Sequence, residues 1–178
     1  MIAVSSHLYA PLAEHYLTGI IDWQKHATVI LDIPTGYALE QLDAKTTSER
    51  RSTIVITPAT HPAYHDILAS YYIRQVVPAD NEAALGIMRA IIKDDAFSPT
   101  YQSKTGLTFT QARVLRLILR GASSKEAAAR LGLAVSSINA HVANVFSLLG
   151  VHGTTARAEL IRQLLVGKPA APTAETPA

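Results

Sequence analysis

The run Leu107–Ile161 reads LTFTQARVLRLILRGASSKEAAARLGLAVSSINAHVANVFSLLGVHGTTARAELI and carries the densest helix punctuation in the chain. Thr108 with Gln111, and Ser123 with Glu126, have the spacing at which a side chain and a backbone amide satisfy each other at a helix start. Val114, Leu115, Ile118 and Leu119 recur at the helical period, and Gly121 stands where a left-handed residue closes a helix. A second helix, Ser124–Leu131, is rich in alanine (Ala127, Ala128, Ala129), so another helix can cross it closely. Gly132 makes the turn into a third helix, Val135–Leu149, which ends at Gly150. A fourth, Thr154–Val166, carries Ala158, Leu160, Ile161, Leu164 and Leu165. The spacing from Ser123 through Gly132 to His141 is that of a tri-helical turn module, whose third helix enters a major groove.

The same segment holds Leu107-Thr108, Val114-Leu115, Gly121, Ser123, Lys125-Glu126, Ala128, Leu131, Ile138, His141, Asn144 and Leu149-Gly150-Val151 in one register. On these residues it resembles the LuxR-type (NarL/FixJ) helix-turn-helix domain, over about 55 of the 178 residues. The resemblance implies an all-α four-helix module in a transcriptional regulator that catalyses nothing. It implies contact with double-stranded DNA through Ser124, Lys125, Ser136, Ser137, Asn139, Ala140, His141, Ala143 and Asn144. A homodimer is expected, with Leu160, Ile161, Leu164 and Leu165 as the interface and half-sites about one helical turn apart.

Several positions depart from the family pattern. Thr110-Gln111 and Arg113 stand in place of its Arg-Glu and following Glu. Ala134 replaces the Ser or Thr cap of the recognition helix, with Ser136 and Ser137 as candidates to take over. Asn139 and Leu148 replace two cations. The reading face is then Ser136, Ser137, Asn139, Ala140, Ala143, Asn144 and Ser147, without lysine or arginine. Each neutralised phosphate contributes about 0.9 to the log–log salt slope, so a shallow salt dependence is expected. Asn139 has the groups to read adenine, and Ala140 or Ala143 to meet a thymine methyl, which predicts an A·T-leaning half-site. The same bareness supports a second reading, an interaction protein that has lost DNA binding and titrates a partner regulator.

Charge divides the chain at the same place. From Ser103 onward there are nine Lys or Arg against three acids, a net of +6, whereas residues 1–102 carry seven against eleven, a net of −4. A basic nucleic-acid module joined to an acidic regulatory half is the expectation. Arg116 and Arg120 are read equally as phosphate contacts or as part of a solvated helix face with Arg113. There are no cysteines, which excludes disulfides, thiol catalysis and thiolate metal sites. No run of about 18 apolar residues appears and the N-terminus has no basic n-region, so a cytoplasmic protein that spans no membrane is expected.

The first half reads as alternating strands and helices: Met1–Ser5, a helix Leu8–Ile21, Ala27–Ile33, a helix Tyr37–Ser48, Thr53–Thr57, a helix His61–Tyr71, Arg74–Val77 and a helix Asn81–Asp94. ATVILDI and TIVIT are continuous apolar runs, as in parallel strands buried on both faces. A small, truncated, doubly wound α/β sheet follows. The expected division is an α/β domain over 1–96, a linker over 97–105, the helical domain over 106–166 and a disordered, Pro/Ala/Thr-rich tail over 167–178.

This half resembles a degenerate response-regulator receiver. LDIPTG places Asp32 at the phospho-acceptor position and TIVIT places Thr57 at the switch position. Ser5 and Ser6 stand where the family has a Mg²⁺-binding acidic pair, Val77-Pro78 where it has a lysine, and Asp32 arrives about twenty residues early. Mg²⁺ needs carboxylates around it and offsets charge on the transferring phosphoryl group, so Asp32 is expected to cap its own loop instead. Input would come from a regulatory protein or a small molecule, without cofactor or metal. His61 and His65 have a metal-like spacing but lack a third ligand, so loop capping is the better reading; His7, His15 and His26 share no spacing. Tyr64, Tyr71 and Tyr72 are assigned to core packing ahead of a ligand surface.

Overall fold

Four parallel strands, β1 (Ile2–Ser5), β2 (Ala27–Leu31), β3 (Thr53–Thr57) and β4 (Gln75–Pro78), lie side by side in chain order. This computed structural model describes residues 2–5, 27–73, 75–79 and 103–165. The helices expected over Leu8–Ile21 and Asn81–Asp94, most of the linker and the tail lie outside the described residues. The register sets Val4 against Val29, Val29 against Ile54 and Val55 against Val76. Successive strand residues point to opposite faces, and Val29, Ile30, Ile54 and Val55 are all fully buried. Both faces are therefore covered, which is why these strands read as unbroken apolar runs. A receiver-type sheet has the order 2-1-3-4-5. The described strands, in the order β1-β2-β3-β4 and all parallel, fit the 1-3-4-5 part of it.

The helix expected over Tyr37–Ser48 is two helices, α1 (Tyr37–Ala44) and α2 (Thr47–Arg51). Thr46 and Glu49 form a capping box, with the Glu49 amide donating to Thr46 Oγ1 at 3.3 Å and the Thr46 amide to Glu49 Oε2 at 2.7 Å. Lys45 is extended between the two helices, and Arg50 Nε closes α1 by donating to the Leu42 carbonyl at 2.8 Å. α3 (Pro62–Ala69) starts on His61, with Pro62 in its first turn, where a missing N–H costs nothing.

Four helices make the second half: α4 (Phe109–Leu119), α5 (Ser124–Leu131), α6 (Val135–Leu148) and α7 (Ala156–Leu165). The capping boxes at Thr108 and Ser123 both form. Gly132 closes α5 at φ +67, a left-handed conformation that strains any side chain. α7 starts at Ala156, two residues after the position the sequence suggested. Val114, Ile118, Ala127, Ala128 and Ile138 form the core between α4, α5 and α6; the alanines allow the close crossing.

A larger core crosses from one half to the other. Ile30, Leu39, Leu42, Val55, Tyr64 and Ile67 share it with Leu107, Leu115, Val145, Val151, Leu160 and Leu164. The two halves are one packed body, because an apolar cluster cannot be divided without exposing it to water.

Candidate nucleic-acid interface

α6 turns Ile138 and Val145 into the core and leaves Ser136, Ser137, Asn139, Ala140, Ala143, Asn144 and Ser147 exposed. His141 is half-buried beside them. Spacing by four makes two adjacent rows, Ser136-Ala140-Asn144-Leu148 and Asn139-Ala143-Ser147. In the first turn of α5, Lys125 is exposed and Ser124 half-buried. The Ser123 cap holds the Glu126 carboxyl below its usual range through hydrogen bonds from the Ser123 amide and hydroxyl. All nine residues expected at a DNA contact thus lie on the short α5 helix start and one side of α6.

Two details sharpen this face. Ala134 is the N-cap of α6 in an extended conformation with no side-chain hydrogen bond, so neither Ser136 nor Ser137 takes over the cap. Leu148, 49% exposed, ends the first row with an apolar side chain.

Arg116 on α4 and Arg120 at its C-cap point elsewhere. The Arg116 guanidinium lies 4.1 Å from the Tyr71 ring centroid, and Arg120 Nη1 meets Asp43 Oδ2 at 2.9 Å. Both reach the α/β half, which corrects the reading that set them against phosphates or bulk water. Arg116 Nε is buried with no hydrogen-bond partner among the described residues, and burial lowers that group's pKa. The Tyr71 hydroxyl donates to Asp43 Oδ1 at 2.8 Å, which ties both arginines to one carboxylate.

The linker is fastened from the same side. Asp66 on α3 is almost wholly buried and accepts from Ser103 Oγ at 2.7 Å, the Lys104 amide at 2.7 Å and the Thr105 amide at 3.1 Å, with the Thr105 hydroxyl a further donor. This attachment and the arginine contacts had no motif to announce them. The available signal was an acid inside the apolar run PAYHDILA, and such a group needs partners when buried.

Asp32 is likewise consumed. Its Oδ1 accepts from the Gly36 and Ala38 amides at 3.0 and 2.8 Å, and its Oδ2 from the Thr57 and Tyr64 hydroxyls at 2.8 Å each. The carboxylate is fully buried and caps its loop, as the sequence suggested. Burial and the facing carboxylate push the Tyr64 hydroxyl far above the ordinary phenol range. Thr57 is no bare strand residue: it also accepts from the Ala59 amide at 3.1 Å. Tyr64 and Tyr71 are core residues, whereas Tyr72 is exposed at φ +57 and packs on Phe109 with centroids 4.8 Å apart.

The interface expected on the fourth helix needs correction. Leu160 and Leu164 are buried in the shared core, leaving Ile161 and Leu165 half-buried at the surface. Two-fold contact through Leu160 and Leu164 would remove them from the chain's own interior. Arg157 on the same helix donates to the Ile118 and Ala122 carbonyls at 3.1 and 3.0 Å, holding the end of α4. His61 accepts from the Ala63 amide at 3.2 Å, a helix cap rather than a metal ligand. Among the described residues no helix by itself is long and apolar enough to cross a membrane.

The profile of the bacterial regulatory proteins of the luxR family matches residues 105–162. Residues 105–162 are a LuxR-type helix-turn-helix domain. No curated protein matches the chain. Among solved structures, a complex of the two-component response regulator RcsB with DNA aligns over 92% of this chain and 97% of its own, with 18% identity and a TM-score of 0.52. RcsB from Salmonella enterica serovar Typhimurium, bound to promoter rprA in the presence of phosphomimetic BeF3⁻, aligns over 86% and 81% with 16% identity and a TM-score of 0.49. At such identity the first likeness is one of fold. It covers both halves, a receiver-like α/β domain followed by the LuxR-type domain. The LuxR-type match contains Ser123 to Ser147, which takes in the α5 cap and the whole exposed face of α6.

Proposed function

We propose that the protein is a cytoplasmic DNA-binding transcriptional regulator that acts as a homodimer without phosphorylation of Asp32. The observation that carries this is the free face of α6 in a LuxR-type domain: Ser136, Ser137, Asn139, Ala140, Ala143 and Asn144 are exposed while the α/β half packs elsewhere. Ser124, Lys125 and His141 border it and would meet the backbone. Asn139 would read adenine and Ala140 or Ala143 a thymine methyl, giving an A·T-leaning half-site repeated about one helical turn away. Phosphorylation independence is supported by the four hydrogen bonds that already occupy the buried Asp32 carboxylate.

The second reading, an interaction protein that titrates a partner regulator, is favoured by one observation: α6 carries no lysine or arginine. Electrophoretic mobility shift on selected DNA at two salt concentrations separates them. The regulator predicts binding that weakens with salt and is lost in Asn139→Asp with Lys125→Ala. Absent binding, or binding indifferent to salt and to both substitutions, establishes the interaction protein.

A further inference from the structure

The LuxR-type domain contains a cavity of about 140 Å³ behind α6. Ile118, Ala122 and Ala127 wall it from α4, α5 and the turn between them, and Ile138, Val142 and Phe146 from α6. The first four of these are buried, whereas Val142 and Phe146 are half-buried at the mouth. An alanine reaches one carbon from the backbone, so positions 122 and 127 leave space that a longer side chain would fill. Interiors hold few voids larger than a water molecule, and an apolar cavity of about 150 Å³ accepts benzene. Arg157 stands exposed at the rim, the one charged residue lining the cavity among the described residues. Its Nη2 donates to the Ile118 and Ala122 carbonyls at 3.1 and 3.0 Å, which fixes the guanidinium. Its Nε and Nη1 meet no acceptor among the described residues.

We propose that this cavity binds a small aromatic carboxylate, with its ring among Ile118, Ile138 and Val142 and its carboxylate on Arg157. The volume admits a single ring, and the apolar walls select one without polar substituents, which would be buried unpaired. The head group is set by charge: a carboxylate accepts charge-assisted hydrogen bonds from the guanidinium, whereas an amine meets a like charge. Because two carbonyls already hold Arg157, little side-chain freedom is lost when the anion arrives. Ile138 and Val142 lie on the back of the helix that carries Asn139, Ala140 and Ala143 outward, and Ser124, beside Lys125, also lines the cavity. An occupant therefore bears on both elements of the proposed DNA contact. That consequence rests on the regulator reading; the binding itself does not.

Titration of the full chain with benzoate, read by calorimetry and by the methyl NMR signals of Ala127, Ile138 and Val142, tests the site. Benzoate should saturate and shift those signals, and acetate, which lacks the ring, should do neither. Arg157→Gln keeps an amide donor for the two carbonyls. It should weaken benzoate about tenfold or more while leaving benzyl alcohol, the neutral analogue, within about threefold. Ala127→Leu fills the cavity and should abolish binding of both. If it does not fold, Val142→Phe, which closes the mouth from a half-buried position, gives the same readout. No saturation by benzoate, acetate binding equal to it, or undiminished benzoate binding in Arg157→Gln or in the filling variant would each overturn the proposal. Saturating benzoate should also move the midpoint of DNA binding by about fivefold or more. An unmoved midpoint removes the effector role, whereas binding of benzoate without binding of DNA upholds the site and removes only the regulator reading.

Discussion

The Tyr64 hydroxyl donates to Asp32 Oδ2 at 2.8 Å, joining the sheet's loop to the helix that also grips the linker. One turn of α3 thus binds in two directions, Tyr64 toward Asp32 and Asp66 toward Ser103–Thr105 at the start of the second half. The carboxylate is a structural anchor, because it is fully buried and four donors surround it.

Removing that anchor should unfold the protein before it alters any signal. Asp32→Ala leaves two amides and two hydroxyls without an acceptor, and a hydrogen bond to a charged group contributes about 1.5–3 kcal/mol. A loss of at least about 3 kcal/mol is expected for Asp32→Ala, and about 1–2 kcal/mol for Tyr64→Phe. Urea denaturation measures both; an Asp32→Ala protein as stable as wild type would contradict the anchoring role.

Two kinds of cation should separate in DNA binding. Lys125→Ala removes an exposed charge at the α5 start and should lower the log–log salt slope by about 1. Arg116→Ala should leave the slope unchanged and destabilise the fold by about 1 kcal/mol, since its guanidinium stacks on Tyr71 away from the reading face. Titrations of labelled DNA at several salt concentrations, paired with thermal melts, resolve the two effects.

The uncapped recognition helix offers a gain. Ala134 already has the extended conformation of an N-cap, so Ala134→Ser supplies only the missing acceptor. The substitution should raise stability by about 0.5–1 kcal/mol, visible as a higher urea midpoint. No gain would mean that the hydroxyl fails to reach the α6 amides.

Stability should fall on mild acidification. Burial and the neighbouring His65 lower the His61 pKa in the folded chain, so between the two pKa values the unfolded state binds more protons. The contribution is complete above the unfolded value of about 6.5 and is lost as pH falls below it. Urea midpoints measured from pH ~7.5 to ~5.5 should decline, and His61→Ser should decline less steeply over that range.

Much of the second half was legible because its signals are local. The boxes Thr108-x-x-Gln111 and Ser123-x-x-Glu126, the left-handed Gly132 and the apolar period of α4 each act within a turn or two. The strands were legible from ATVIL and TIVIT for a similar reason, since continuous apolar runs suit a sheet covered on both faces. The break at Lys45 was also written locally, in Thr46 and Glu49, but the apolar run across it masked the second start.

What the residues by themselves determined is most of the described elements and the chemistry of α6: a Ser-, Ala- and Asn-bearing face without a cation. Only the tertiary structure decided what Arg116, Arg120, Leu160, Leu164 and Asp66 are for. A helix's period says which residues share a face, but not whether water, DNA or another part of the chain covers that face. Here the shared core lies against the sheet half, so the arginines stack and pair there, the leucines are buried, and Asp66 finds its donors 37 to 39 residues away. Contacts over such separations leave no local pattern, because they depend on how the elements pack and not on the spacing within any one of them.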